Sequence, residues 1–186
     1  MTTAPSITGR ATKKGALMTR TEAMEKLHRW YSVYFDVQRF DDPSDYLALR
    51  CDFHVHSEKY VLVKKAKLWE ADSNEFVFVF SVPHLTEEIY KSCEQLAYEK
   101  GMEMIQPGPG HMYSYITAVF VCESCDDAAR RALRRCRIYK SFRLAFWGWM
   151  DFHSCLVELD GERVSHNSSG RSAAQMLKST LFKKKA

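Results

Sequence analysis

Apolar residues recur along this chain with two periods, and the changes between them mark out the elements. Met24, Leu27, Tyr31, Tyr34 and Phe35 form one stripe at helical spacing. Thr19-Arg20-Thr21-Glu22 stands before them as a capping-box pattern, so the spacing predicts a helix to about Phe35. Asp41-Asp42-Pro43-Ser44-Asp45 reads as a turn. Leu47, Leu49, Cys51, Phe53 and Val55 then alternate with Arg50, Asp52, His54 and His56, which predicts a strand with one wet face. Tyr60 to Trp69 predicts a second strand, with a bend at Lys64-Lys65. Glu75 to Val82 predicts a third, ended by Pro83. Thr86-Glu87-Glu88 opens a second helix that keeps Ile89, Cys93, Leu96 and Ala97 inward and closes at Gly101.

The organising stretch runs from His111 to Leu159. Met112, Ser114, Ile116, Ala118 and Phe120 fall on one face of a strand, and Tyr113, Tyr115, Thr117, Val119 and Val121 on the other. Both faces are largely apolar, as in an interior strand. Ser124-Cys125-Asp126-Asp127 supplies a capping residue and first-turn acids for a helix. Ala129, Ala132, Leu133 and Cys136 form its narrow buried stripe, and five arginines take the remaining surface. Tyr139 to Trp147 and Trp149 to Leu159 read as two strands with Gly148 at the turn. Asp160-Gly161 reads as a hairpin turn before a short strand, Val164 to His166. Asn167 to Gly170 leads into a final helix carrying Ala173, Ala174, Leu177 and Leu181 inward. The fold class predicted is α+β, a mixed or mainly antiparallel sheet of about six strands packed with three to four helices. Residues 19–182 read as one such domain, flanked by basic tails at 1–18 and 183–186. The first six elements follow the αβββαβ order of restriction-endonuclease-like nucleases, which is a count of elements and not evidence of activity.

Composition changes this picture little: 46% hydrophobic and 27% charged is ordinary for a globular protein. No apolar run approaches the roughly 20 residues that span a bilayer, and the N-terminus has no apolar signal core, so a cytoplasmic protein without a membrane partner is expected. Six cysteines in such a chain are expected to be free thiols.

Charge changes the picture more. The net +4 hides an asymmetry: residues 126–143 hold seven cations against Asp126 and Asp127, whereas segments 21–125 and 144–160 together hold 10 cations and 20 acids. Arg130, Arg131, Arg134, Arg135, Arg137, Lys140 and Arg143 are the candidate nucleic-acid-binding residues, because guanidinium forks match phosphate oxygens. Tyr113, Tyr115, Trp147 and Trp149 are candidate stacking surfaces. The plainer alternative is a solvated arginine face with the aromatics in the core.

Other constellations are weaker. His54 and His56 alternate onto one strand face and are the candidate metal ligands, with a third to come from Asp151, His153 or His111. Cys122-Glu123-Ser124-Cys125 sits at a strand-to-helix junction, the context that lowers a thiol pKa, but lacks the facing proline strand of a redox fold. A nuclease needs an acid, then acid-x-Lys, on successive strands; Glu70 and Glu75-Phe76-Val77 leave the lysine missing. No catalytic residue is assigned and no cofactor is expected. The leading reading is a non-enzymatic domain that contacts a nucleic acid or another polyanion through its basic helix. The alternatives are a metal-dependent hydrolase, or a degenerate nuclease-like relative, and an assembly protein whose aromatic surface makes a homo-oligomer.

Two segments carry a resemblance. Ser57-Glu58-Lys59-Tyr60 with its following lysines to Trp69 is one. His111-Met112 through Ile116-Thr117, with Tyr139-Lys140-Ser141-Phe142 and Gly148-Trp149-Met150-Asp151, is the other. Together with Asn167 to Gly170 they resemble an uncharacterised bacterial domain family of unknown function, across roughly residues 20–182. The resemblance implies a cytosolic bacterial protein and transfers no site residue.

Overall fold

The computed structural model describes residues 17–41, 46–57 and 71–183, with the side chains of 54–57 and 71–73 outside that description. Four helices and a seven-stranded mixed sheet make an α+β fold. The chain runs α1 (Arg20–Tyr31), β1 (Asp36–Arg39), β2 (Leu47–Ser57), β3 (Ala71–Leu85), α2 (Glu87–Met104) and β4 (His111–Cys125). It continues through α3 (Asp127–Arg135), β5 (Tyr139–Ser141), β6 (Trp149–Glu158), β7 (Arg163–His166) and α4 (Arg171–Phe182). The strand order is β1-β2-β3-β4-β6-β5, with β7 also paired to β6. The β3-β4 and β4-β6 pairs are parallel and the rest antiparallel.

Alternation in the central strands splits the core in two. Phe76, Phe78, Phe80, Ile116, Phe120, Met150 and Phe152 pack on one face under α2 and α3. Val77, Val79, Val119, Val121, Cys155 and Val157 pack on the other under α1 and α4. Parallel strands covered on both faces must read as near-continuous apolar runs, as β4 does. Thr19 caps α1 with the expected reciprocal bonds: its hydroxyl accepts from the Glu22 N–H, and the Glu22 carboxylate accepts from the Thr19 N–H.

The described residues also keep the αβββαβ start, but through different strands. The strand expected at Tyr60 to Trp69 and most of the turn at 41–45 lie outside the described residues. Instead α1 ends at Tyr31, and Asp36–Arg39 forms an edge strand that pairs Val37 with Cys51. Phe35 leaves the helix to meet Tyr31 and Phe53, at 5.1 Å between ring centroids in each case. Pro83 does not end β3, which runs on to Leu85. The Ser81 N–H donates to Tyr46 O, so two residues later the proline nitrogen faces the same side, past the last described pair of β2 and β3.

Gly101 does not close α2; it lies inside the helix, buried against β4. A Cβ there would fall 2.6 Å from Ile116 Cδ1, so only glycine lets the helix approach this closely. The expected strand from Tyr139 to Trp147 stops at Ser141. Arg143, Leu144 and Ala145 then take left-handed φ values of 46°, 52° and 68°, followed by Gly148 at 74°. That tight loop breaks the strand, and none of its three left-handed non-glycine residues is an Asn or Asp that would have announced it.

β6 has two partners on one edge: β5 pairs with its first part and β7 with its last. Asn167 closes the gap between them. Its Oδ1 accepts from the Ser154 and Gly170 N–H groups, and its Nδ2 donates to Phe152 O and Cys136 O.

Candidate functional site

The seven predicted cations divide. Arg130 is taken: Nη2 donates to Glu158 Oε1 at 2.6 Å and Nε to Oε2 at 3.1 Å, with further bonds to Asp127 and Cys125 O. Glu158 lies at the far end of β6 and also holds Arg163. Arg131, Arg134, Arg135, Arg137, Lys140 and Arg143 are exposed and form no ion pair among the described residues. They follow one another from α3 through the 136–138 connection and β5 into the loop at 142–148. Tyr139 and Phe146 stand on the same stretch, 61% and 82% exposed, and the Arg143 guanidinium lies 4.0 Å over the Trp147 ring. Arginine stacked on indole keeps its fork pointing outward.

The predicted stacking residues are only partly there. Tyr113, Tyr115 and Trp149 project from odd positions of β4 and β6, to the α1/α4 face, whereas α3 covers the other face. They cannot share a strand of nucleic acid with α3. Trp147 lies on the basic stretch. Phe146 and Tyr139 were missed because exposure of a single aromatic has no sequence signature.

His54 and His56 stand on β2 opposite Asn74 and Asp72, and their side chains lie outside the description. Asp151 and His153 stand on β6, three strand spacings or about 14 Å away, so they do not join the pair. His111 is committed: Nδ1 meets Trp147 O at 2.7 Å and Nε2 meets Ser114 Oγ at 2.8 Å. Among the described residues no three His, Cys, Asp or Glu side chains gather closely enough to hold a metal ion.

All six cysteines are free thiols. Burial raises the Cys122 thiol pKa and pushes Cys125 up to about 11, the reverse of what an attacking thiolate needs. Next to them His84 bridges Ser124 Oγ at 2.8 Å and Asp126 Oδ1 at 3.0 Å. The His84 and Asp126 side chains are half exposed, and the His84 bridge fastens the ends of β3 and β4 to the start of α3.

On the α1/α4 face the parallel register gathers residues far apart in sequence. Glu75 stands opposite Tyr115, and Tyr115 opposite Asp151. One step along, the Thr117 hydroxyl donates to Glu75 Oε1 at 3.1 Å and lies 3.3 Å from His153 Nδ1. Burial raises the Glu75 pKa, with the Thr117 bond opposing, and lowers that of His153, with Asp151 opposing. In the sequence Glu75 belongs to the nuclease pattern, and Asp151 and His153 are alternatives for a third ligand to His54 and His56; their convergence depends on strand order.

The family model for a domain of unknown function, DUF8052, matches residues 19–179. The chain belongs to this family. Neither a curated protein nor a solved structure shows a match to it. The DUF8052 span takes in all four helices up to the last turn of α4, together with the basic stretch and the Glu75–Asp151 row. No helix among the described residues is long and apolar enough to cross a membrane.

Proposed function

We propose that this DUF8052 member is a bacterial, cytoplasmic, non-enzymatic protein whose basic stretch binds single-stranded nucleic acid. Six exposed cations that form no ion pair among the described residues, following one another along α3, the 136–138 connection, β5 and the next loop, carry the reading. Phosphate contacts would supply affinity without sequence preference. Phe146 offers an exposed ring face for unstacked bases. A duplex hides its base faces, so a single strand fits this mixture of cations and rings better.

Fluorescence anisotropy of the full chain with labelled oligo-dT and a duplex of the same length tests it. Single-strand binding is expected to weaken about a hundredfold between 50 and 200 mM salt if about five phosphates are contacted. It is expected to fall at least tenfold in the triple variant Arg134→Glu, Arg137→Glu, Lys140→Glu. Unchanged affinity in that variant would reject the surface and leave any binding to the basic tails.

The loop tip favours a second reading, an assembly protein. Leu144 is 88% exposed beside Phe146, a pair that a second copy of the chain would cover. A Phe146→Ser variant that turns an oligomer into a monomer in light scattering would support it.

A further inference from the structure

A cavity of about 380 Å³ lies between the α1/α4 helices and the sheet. Its floor is the Glu75–Tyr115–Asp151 row with His153 beside it, and its walls include Trp30 and Tyr31 at the end of α1 and Phe35 beyond it. We propose that this cavity binds a small organic ammonium ion.

The chemistry of the lining selects the charge. Two carboxylates line the cavity and no Lys or Arg does, in a chain with 27 basic residues against 23 acidic. Each carboxylate has one oxygen engaged, Glu75 Oε1 by Thr117 and Asp151 Oδ1 by Ser169 at 3.0 Å. No other hydrogen bond reaches either group among the described residues. An anion would meet both acids head on. A neutral apolar molecule would strip water from them and return nothing. A cation is attracted by both carboxylates, which stand on either side of Tyr115.

The walls select an organic cation over a bare metal ion. Trp30 meets Tyr31 edge to face at 5.0 Å between ring centroids, Tyr31 meets Phe35 at 5.1 Å, and Tyr115 lies 4.6 Å from the His153 ring. Aromatic faces attract alkylammonium groups through the ring quadrupole, more strongly where water is excluded. A hard metal ion would want three or more converging oxygen ligands, and the floor offers two carboxylates on either side of Tyr115. His153 does not supply the missing charge, because burial disfavours its protonated form. The volume lies within the range of ordinary small-molecule pockets.

The test is calorimetric titration of the full chain with choline and with its uncharged isostere, 3,3-dimethyl-1-butanol. Saturable one-site binding of choline is expected, with the isostere at least tenfold weaker. Glu75→Gln and Trp30→Ala are each expected to weaken choline at least tenfold while far-UV circular dichroism stays unchanged. A wild-type readout covers the case in which a variant misfolds: the Trp30 indole resonance should shift on titration with choline and stay still with the isostere. Equal binding of the two probes, no saturable binding of choline, or unchanged affinity in a folded Glu75→Gln variant would overturn the proposal.

Discussion

Arg130 and Glu158 form a two-pronged ion pair, 2.6 and 3.1 Å, between α3 and the end of β6. Glu158 is only 3% exposed, so its charge relies on arginine. Arg130→Ala leaves it with Arg163, a largely exposed side chain. The substitution is expected to cost about 3 kcal/mol, at the lower end for breaking a buried pair, because one arginine remains. Urea unfolding would show the loss. Arg134→Glu should change the midpoint little, since its side chain touches no acid among the described residues. Equal effects of the two substitutions would remove the distinction between a structural and a free arginine.

Asn167 substitutes for a missing stretch of sheet edge. Asn167→Ala leaves two N–H donors and two carbonyls without partners where β5, β6, β7 and α4 meet. At about 1 kcal/mol for each unmet buried group, a loss of about 3 kcal/mol is expected after partial relaxation. Amide exchange at Ser154 and Gly170 should accelerate before the rest of β6. Retained protection there would mean that the edge closes without the side chain.

Gly101→Ala tests the approach of α2 to β4. Helix propensity alone predicts stabilisation by about 1 kcal/mol. Contact with Ile116 predicts overpacking, at a cost of about 1–3 kcal/mol. The contact should win, lowering the melting temperature by about 5 °C. A rise in melting temperature would show that Ile116 can move aside.

Glu75 and His153 tilt the pH dependence of stability in opposite directions. Burial raises the Glu75 pKa above its ordinary 4.5, so above that value the folded chain holds the proton more tightly than the unfolded one. Its contribution is complete at low pH and is lost as pH rises through the folded value. Burial lowers the His153 pKa below 6.5, so just beneath 6.5 the unfolded chain binds more protons and stability rises with pH. Glu75→Gln should flatten the fall above 4.5, and His153→Gln the rise below 6.5, in urea titrations at a series of pH values. Parallel curves for Glu75→Gln and the parent would show that burial does not raise the Glu75 pKa.

Much of this molecule is legible one residue at a time. The capping box at Thr19, the helix start at Thr86, the interior strand from His111 and the arginine-coated helix all follow from local spacing, because a helix or strand exposes its neighbours at fixed intervals. The positions that defeated local reading share one feature: their partner is remote in sequence. Pro83 remains in a strand because it lies beyond Phe80, where the β2 pairing stops. Gly101 lies inside a helix because Ile116 presses on it.

The sequence by itself determined which segments are apolar, where most elements begin, and that the stretch from Arg130 to Arg143 is cationic. Tertiary structure alone decided which of those cations are available, since Glu158 removes Arg130 from 28 residues away. It also decided that Glu75, Tyr115 and Asp151 share one row, since three strands separated by helices become neighbours only through parallel pairing. The physical reason is the same in both cases. Periodicity is a property of consecutive residues, whereas ion pairing and cavity lining depend on distances that the chain sets only when the sheet closes around its two cores.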